Sequence, residues 1–298
     1  MKWIFLLVFI YSEFGLAQQV PDIDLGPVVH GVATIRFEVL DGYDYAAVIL
    51  IKNNVVVNPE VNLQIPPSRK FQRKVYFRNG PGDYKIQLGK HKISTPPDAY
   101  VIFGSGEVTA AYLPDPYLSP STLIQSDDPS ILNLSQKITT DAKAHSDLEK
   151  ALAIHDWVTR NISYDVETLS QLNENPDWID PAGQTSALST LQTKKGLCQE
   201  YAYITIALLR AAGIRSAFVS GDASYDDIHW MVDQHAWVHA FVDNRRIEID
   251  PTWDAGSLGT SSGSKVEVFH FSPGEKFFDP PAAEFAKTHR ADQEQMMY

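Results

Sequence analysis

The chain has 298 residues and one cysteine, Cys198, which stands in the stretch KKGLCQEYAYITIALLRAAGI. His235 opens the apolar-alternating stretch HAWVHAFV, and Asp250 ends RRIEID, just ahead of PTWDAG. A thiol, an imidazole and a carboxylate are the parts of a cysteine nucleophile system. The imidazole takes the thiol proton, and the carboxylate orients the imidazole. For that chemistry, the elements carrying the three side chains must converge.

The first of these elements reads as a helix. Tyr201, Thr205, Leu208 and Ala212 share one face, and Ala202, Ile206 and Leu209 widen its apolar stripe. Gly213 supplies a left-handed stop, so the spacing predicts a helix over 198–212. Cys198 then sits where first-turn N–H groups and the positive end of the dipole favour a thiolate. The same N–H groups suit a developing oxyanion. Gly196, lacking a side chain, permits a tight approach to this helix. Lys194 and Lys195 either place positive charge near the thiol or are simply solvated.

His235 and Asp250 belong to an expected hairpin whose strands flank Asp243-Asn244. With a two-residue loop, Asp250 pairs with Trp237 or His239 and points to the same sheet face as His235. One more loop residue reverses that, because the side-chain period is two.

The succession G-L-C-x-x-Y-A, H-A-W and D-P-T-W-D resembles the core of the transglutaminase-like superfamily. That family includes transglutaminases, microbial cysteine peptidases and peptide-N-glycanases on a papain-related fold. The resemblance implies Cys198 as nucleophile, His235 as general base and acid, and Asp250 as orienting group. It covers about the last 170 residues, a domain-sized span. It further implies acyl transfer from protein or peptide amides through a thioester. Water as second nucleophile makes a peptidase or amidase, and an amine makes a transglutaminase. A non-catalytic surface or adhesion protein on the same scaffold is the alternative reading.

Rival sites are weaker. His229, His235 and His239, with Asp226, Asp227, Asp233 and Asp250 nearby, suggest a metal, but they lack helical HExxH spacing, so no metal is expected. Asp254 competes with Asp250 as the orienting carboxylate, and the D-P-T-W match favours Asp250. There is no Gly-rich phosphate loop, Gly-x-Ser-x-Gly elbow or zinc-type cysteine pair, and no cofactor is expected. His155 reads as a satisfied core histidine, and Trp157 and Tyr164 as packing residues more than cleft lining.

Composition sets outer bounds. Asp and Glu number 37 against 25 Lys and Arg, a formal charge of -12, which argues against generic binding to nucleic acid or anionic membranes. Lys2, the apolar run Trp3 to Tyr11 and Gly15-Leu16-Ala17 read as an export signal, residues 1–17, with expected cleavage after Ala17; an uncleaved anchor or a buried strand are the alternatives. The run falls short of the roughly 20 residues a membrane span needs, and no later segment supplies one. A secreted or periplasmic location follows. There, a lone cysteine suggests a reactive thiol.

The fold class expected is α+β: a papain-like, transglutaminase-like core preceded by an all-β immunoglobulin-like sandwich. Residues 24–112 carry period-two alternation at Ala33, Ile35, Phe37 and Val39, at Val61, Leu63 and Ile65, at Phe71, Val75 and Phe77, and at Tyr84, Ile86 and Leu88. Asn53-Asn54, Pro66-Pro67, Asn79-Gly80-Pro81-Gly82 and Pro96-Pro97 punctuate these strands. Tyr43, Tyr45, Tyr76, Tyr84 and Tyr100 are packing residues or, less simply, a binding face for a cell-surface or cell-wall partner. Residues 113–130 read as a linker and 131–298 as the catalytic domain. Within the latter, helices are expected over 131–138, from the Ser146–Glu149 capping box to about Asn161, and over 185–193. A strand over 214–220 precedes a specificity loop over 221–234. A Gly/Ser loop over 256–264 precedes a strand over 266–271, and the tail, with Phe285-Ala286-Lys287-Thr288-His289, is expected at the sheet edge.

Overall fold

The computed structural model describes residues 9–10, 23–40, 42–92, 99–111, 115–175, 185–225, 229–260 and 267–295. Most of the expected export signal lies outside the described residues, as do the Pro96-Pro97 turn and parts of the two expected loops, 226–228 and 261–264. The chain forms two compact units, one before Asp115 and one from Asp115 onward.

The first unit is all strand: β1 (Phe9–Ile10), β2 (Asp24–Leu25), β3 (Val32–Glu38), β4 (Tyr45–Lys52), β5 (Val55–Gln64), β6 (Lys70–Tyr76), β7 (Gly82–His91) and β8 (Ala99–Ala110). They make two sheets, in the orders β1-β8-β7-β4-β5 and β2-β3-β6. Ala33, Ile35, Phe71 and Val75 from the smaller sheet share one core with Val48, Leu50, Ile86 and Leu88 from the larger. Strands β3, β6 and β7 coincide with the alternating stretches. Strand β4, YAAVILIK, has no alternation because both its faces are buried. Ala46, Val48 and Leu50 enter that shared core, while Ala47 and Ile49 pack with Tyr100 in a second cluster. Tyr76, Tyr84 and Tyr100 are buried, which makes them packing residues.

The second unit begins with α1 (Pro129–Asp141), α2 (Asp147–Asn161), β9 (Ser163–Tyr164), α3 (Val166–Glu174), α4 (Ala187–Thr193), β10 (Lys195–Gly196) and α5 (Cys198–Ala211). It continues with β11 (Arg215–Ala223), β12 (Met231–Val242), β13 (Arg245–Ile249), α6 (Pro251–Ala255), β14 (Gly256–Thr260), β15 (Glu267–Phe271), α7 (Ala282–Phe285) and β16 (His289–Gln295). A four-stranded antiparallel sheet, β13-β12-β11-β16, carries helices on one face. Ala236, Val238, Ala240 and Val242 of β12 face the helices and join one core with α1, α2 and α5. Every residue from Glu200 to Arg210 in α5 is buried, as befits a helix packed on all sides. No helix among the described residues is long and apolar enough to cross a membrane.

Three expectations change. The Asp127-Asp128-Pro129 cluster does not only break structure: Asp128 accepts from Ser130 N at 2.8 Å and Pro129 takes the first turn, so α1 starts there. The Gly/Ser stretch expected to be a loop is strand over 256–260, because β15 pairs with it and satisfies its backbone. Of the expected 221–234 loop, 221–223 and 231–234 are strand instead, because β11 is paired on both sides and extends to Ala223 and β12 begins at Met231. The segment after Asp115 is also well anchored. Ile124 is fully buried, and the buried Arg210 guanidinium donates to Ser119 O at 2.7 Å and Ser216 O at 2.9 Å.

Helix α2 begins with the capping box read from sequence: Ser146 Oγ accepts from Glu149 N at 3.2 Å, and Glu149 Oε2 from Ser146 N at 2.9 Å. Ser146→Ala should cost about 1 kcal/mol. In urea unfolding, this should appear as a lower midpoint at unchanged slope.

Candidate active site

Cys198 starts α5 and is half-buried. The residue before it, Leu197, offers no side chain to cap the first turn; instead Glu200 reaches back to Leu197 N at 2.8 Å. Glu200 Oε1 accepts from Thr185 Oγ1 and Gln199 Nε2, each at 2.6 Å, so this buried carboxylate is well satisfied. The approach to the helix is tight. A Cβ on Gly196 would lie 2.4 Å from Glu200 Cβ, a distance only glycine avoids. Gly196 also pairs in parallel with Tyr164, which brings that half-buried tyrosine beside the start of α5. Burial, and after it the charge of Cys198, hold the Tyr164 phenol well above its usual range. The Lys194 ammonium lies over the Trp157 ring, 4.5 Å from its centroid.

The hairpin has the two-residue loop. Val242 pairs with Arg245, and Asp243 and Asn244 take positive φ of 49° and 61°. Short polar residues tolerate that conformation, which matches the twist of the flanking strands. Val238 pairs with Ile249, so Asp250 follows on the same side as Trp237 and His235, away from the helices.

Asp250 is fully buried and caps α6. Its Oδ1 accepts from Thr252 N at 2.9 Å and Trp253 N at 3.2 Å, with Pro251 in the first turn. Its Oδ2 lies 2.8 Å from His235 Nε2. His235 also makes a side-chain hydrogen bond to Cys198. Burial alone would push the His235 pKa down. The Asp250 charge and the hydrogen bonds to Asp250 and Cys198 outweigh it and raise the pKa to about 10. Burial likewise works against the Asp250 anion, but the charge and hydrogen bond of His235, with those of His289, hold its carboxyl well below the usual range.

Asp254, the competing carboxylate, serves elsewhere. Its Oδ2 is 3.2 Å from His155 Nε2 and accepts from Phe277 N at 2.8 Å, so it holds the 274–277 loop. His155 is a buried core histidine that also meets Gly274 O at 3.2 Å. His239 shares the sheet face with His235 but is taken by two glutamates, 2.7 Å from Glu248 and 2.5 Å from Glu294. Among the described residues, His229, His235 and His239, the weaker rival set, do not form one group of ligand atoms. His229 is exposed, and Asp226 and Asp227 lie outside those residues. What does gather is His235, Asp250 and His289, whose ligand-type atoms lie within 4.8 Å of one another.

Two contributors were not read from the sequence. His289 lies in the tail stretch already noted, yet nothing in that spacing indicated a partner; its Nε2 is 3.1 Å from the same Asp250 Oδ2. Trp253 follows from the D-P-T-W stretch, and its indole sits 5.0 Å from His235 and 4.7 Å from His289. Exposed Tyr225, from the shortened loop, stacks on Trp253 at 4.5 Å and 18°. A half-buried thiol, an imidazole bridging it to a buried carboxylate, and an aromatic wall beside them can support nucleophilic acyl chemistry.

Residues 133–251 match the family model described as the transglutaminase-like superfamily. Among curated proteins, the kyphoscoliosis peptidases of Mus musculus and Homo sapiens are similar, 28% and 26% identical over 157 residues. In each case the match takes in 50% of this chain and 22% of the relative, so the chain spans about a fifth of the relatives' length. A solved structure from Cytophaga hutchinsonii, described as a candidate cysteine protease, is 18% identical over 82% of both chains, with a TM-score of 0.36. Red sea bream transglutaminase is 12% identical, covering 80% of this chain and 50% of that one, with a TM-score of 0.27. Over residues 133–251, this chain is thus similar to the transglutaminase-like superfamily.

Proposed function

We propose that the protein is an exported cysteine enzyme that transfers acyl groups from protein or peptide amides through a thioester on Cys198. One observation carries this reading: a single imidazole, His235, is hydrogen-bonded both to the Cys198 thiol and to the Asp250 carboxylate. The peptidase names of the mouse and human relatives support a reaction on peptide bonds.

The chemistry follows from the protonation states. With the His235 pKa raised to about 10 and Asp250 anionic, the imidazole is poised to hold the thiol proton at neutral pH. The Cys198 thiolate adds to the amide carbonyl, and the backbone N–H of Cys198 receives the oxyanion at the positive end of α5. The tetrahedral intermediate collapses, the C–N bond breaks, and the His235 imidazolium gives its proton to the departing amine. Water or a second amine then attacks the thioester, His235 takes the incoming proton, and the thiolate returns. Both outcomes share one intermediate. Incubation with a peptide and a labelled primary amine separates them: label uptake marks transfer, and cleavage alone marks hydrolysis.

The domain roles belong to the same proposal. Residues 1–17 are an export signal, and 24–112 an immunoglobulin-like docking or spacer module for a cell-surface or cell-wall partner. Residues 113–130 are the connecting segment and 131–298 the catalytic domain. Tyr225, stacked on Trp253 beside His235, is where an incoming substrate side chain would first meet the site.

At pH 7, iodoacetamide should alkylate Cys198 about ten-fold or more faster than a free cysteine, whose thiol is mostly protonated there. His235→Ala should remove the excess. An ordinary rate in the wild type would instead indicate a binding protein on the same scaffold.

The ion pair should also leave a pH signature in stability. His235 has a raised folded pKa, so its contribution is full below about pH 6.5 and is lost as pH rises through about 10. Asp250 has a depressed folded pKa, so its contribution is present above about pH 3.9 and is lost as pH falls further. The stability gap between wild type and Asp250→Asn should be widest between these limits, near pH 5 to 6. Urea midpoints compared there and near pH 10 should show the gap narrowing.

A further inference from the structure

Two imidazoles converge on one oxygen of Asp250. His235 Nε2 stands 2.8 Å and His289 Nε2 3.1 Å from Oδ2, and all three side chains are buried. His289 is held by more contacts than a filler residue needs. Its ring stacks on Phe285 at 3.9 Å and 8°, and it lies against Trp253 at 4.7 Å and Trp237 at 5.1 Å. Its Nδ1 is 2.8 Å from Thr288 Oγ1, and its Nε2, facing a carboxylate that can only accept, carries the N–H toward Asp250. The strand that delivers it approaches β11 closely. A Cβ on Gly221 would meet Arg290 O at 2.1 Å, so glycine at 221 is what lets β16 lie so near.

We propose that His289 is a positioning residue that acts through Asp250, sharing the oxygen His235 uses and so limiting how tightly the His235 imidazolium is held. This rests on the reading of Cys198, His235 and Asp250 as an acyl-transfer site. Asp250 does not need His289 to stay in place, since Oδ1 is anchored by Thr252 N and Trp253 N. The contribution of His289 is therefore electrostatic. A second N–H on Oδ2 withdraws charge that would otherwise fall on His235. An imidazolium held too strongly is a poor acid for the departing amine, so moderating the carboxylate favours that step.

Among the described residues, charged and titratable groups face this pair from several elements. Helix α5 contributes Cys198 and Tyr201, the loop after β11 contributes Tyr225, the cap of α6 is Asp250, and β16 contributes His289. Of these, only His289 donates to Asp250 from the side opposite the thiol's partner. The sign of its effect does not depend on its charge, because removing either a neutral donor or a cation leaves more of the carboxylate's pull on His235.

The test is an NMR titration of ring-labelled histidine in the full-length protein, with the His235 signal assigned by its loss in His235→Gln. His289→Phe keeps an aromatic ring against Phe285 and removes the donor. His289→Gln restores an amide N–H at similar reach. The His235 midpoint should rise by about one pH unit in His289→Phe, the scale of one charge-assisted hydrogen bond, and return close to wild type in His289→Gln. At pH 10.5, roughly the upper end of the titration, wild-type His235 should be mostly neutral and the Phe variant mostly imidazolium. An unchanged or lowered midpoint in folded His289→Phe overturns the proposal, as does failure of Gln to restore it. His289→Leu is the second donor-free variant, and if neither folds, the role is structural and the proposal falls. The titration is read in the resting protein, whereas alkylation reads the acyl-transfer assignment, so the two can fail separately.

Discussion

A carboxylate with no exposed surface must find a donor for each direction in which its oxygens accept, and Asp250 finds four. Two come from the backbone at the start of α6, one from β12 and one from β16. A buried, unpaired carboxylate costs several kcal/mol, so these donors and the elements carrying them are mutually dependent. The backbone pair fixes where the group sits, and the imidazole pair determines what it does. The Asp250 N–H also donates to Phe277 O at 3.0 Å, which ties the loop after β15 to the same residue.

That requirement fixes the hairpin. Asp250 can meet His235 only if both lie on one side of the sheet, and a two-residue loop delivers that parity. On β12 the division of labour is clear: Ala236, Val238 and Ala240 go to the helices, while His235, Trp237 and His239 go to the other face. The helix face is apolar because α5 is buried along nearly its whole length. Only its first turn, with Cys198, reaches the polar side of the arrangement. The thiol thus meets the imidazole where a fully packed helix ends.

Where the sequence was legible, one physical cause dominated locally. The α5 stripe, the Ser146–Glu149 box and the alternation in β3, β6 and β7 each follow from a single periodicity or cap. Cys198, His235 and Asp250 were legible because their types and short contexts are distinctive. Strand β4 was not, because burial on both faces erases period two. Nor was β14, where a neighbouring strand overrode weak propensity at Gly256 and Gly259. The N-cap role of Asp128 was hidden by the prolines around it, which read as punctuation until the helix behind them was in place.

The last strand shows why some functional content stays hidden. HRADQEQ has no apolar rhythm, yet β16 closes the polar face of the sheet. His289 meets Asp250, and Glu294 meets both His239 and Tyr117 Oη. Its side chains satisfy a buried carboxylate, Asp250, and a buried histidine, His239, instead of burying hydrocarbon. Such a strand follows the hydrogen-bonding needs of residues distant in sequence, so its pattern becomes readable only when those residues are placed beside it. The polar face needs that strand as the helix face needs α5: without β16, two of its buried groups, Asp250 and His239, would each lose one of their partners.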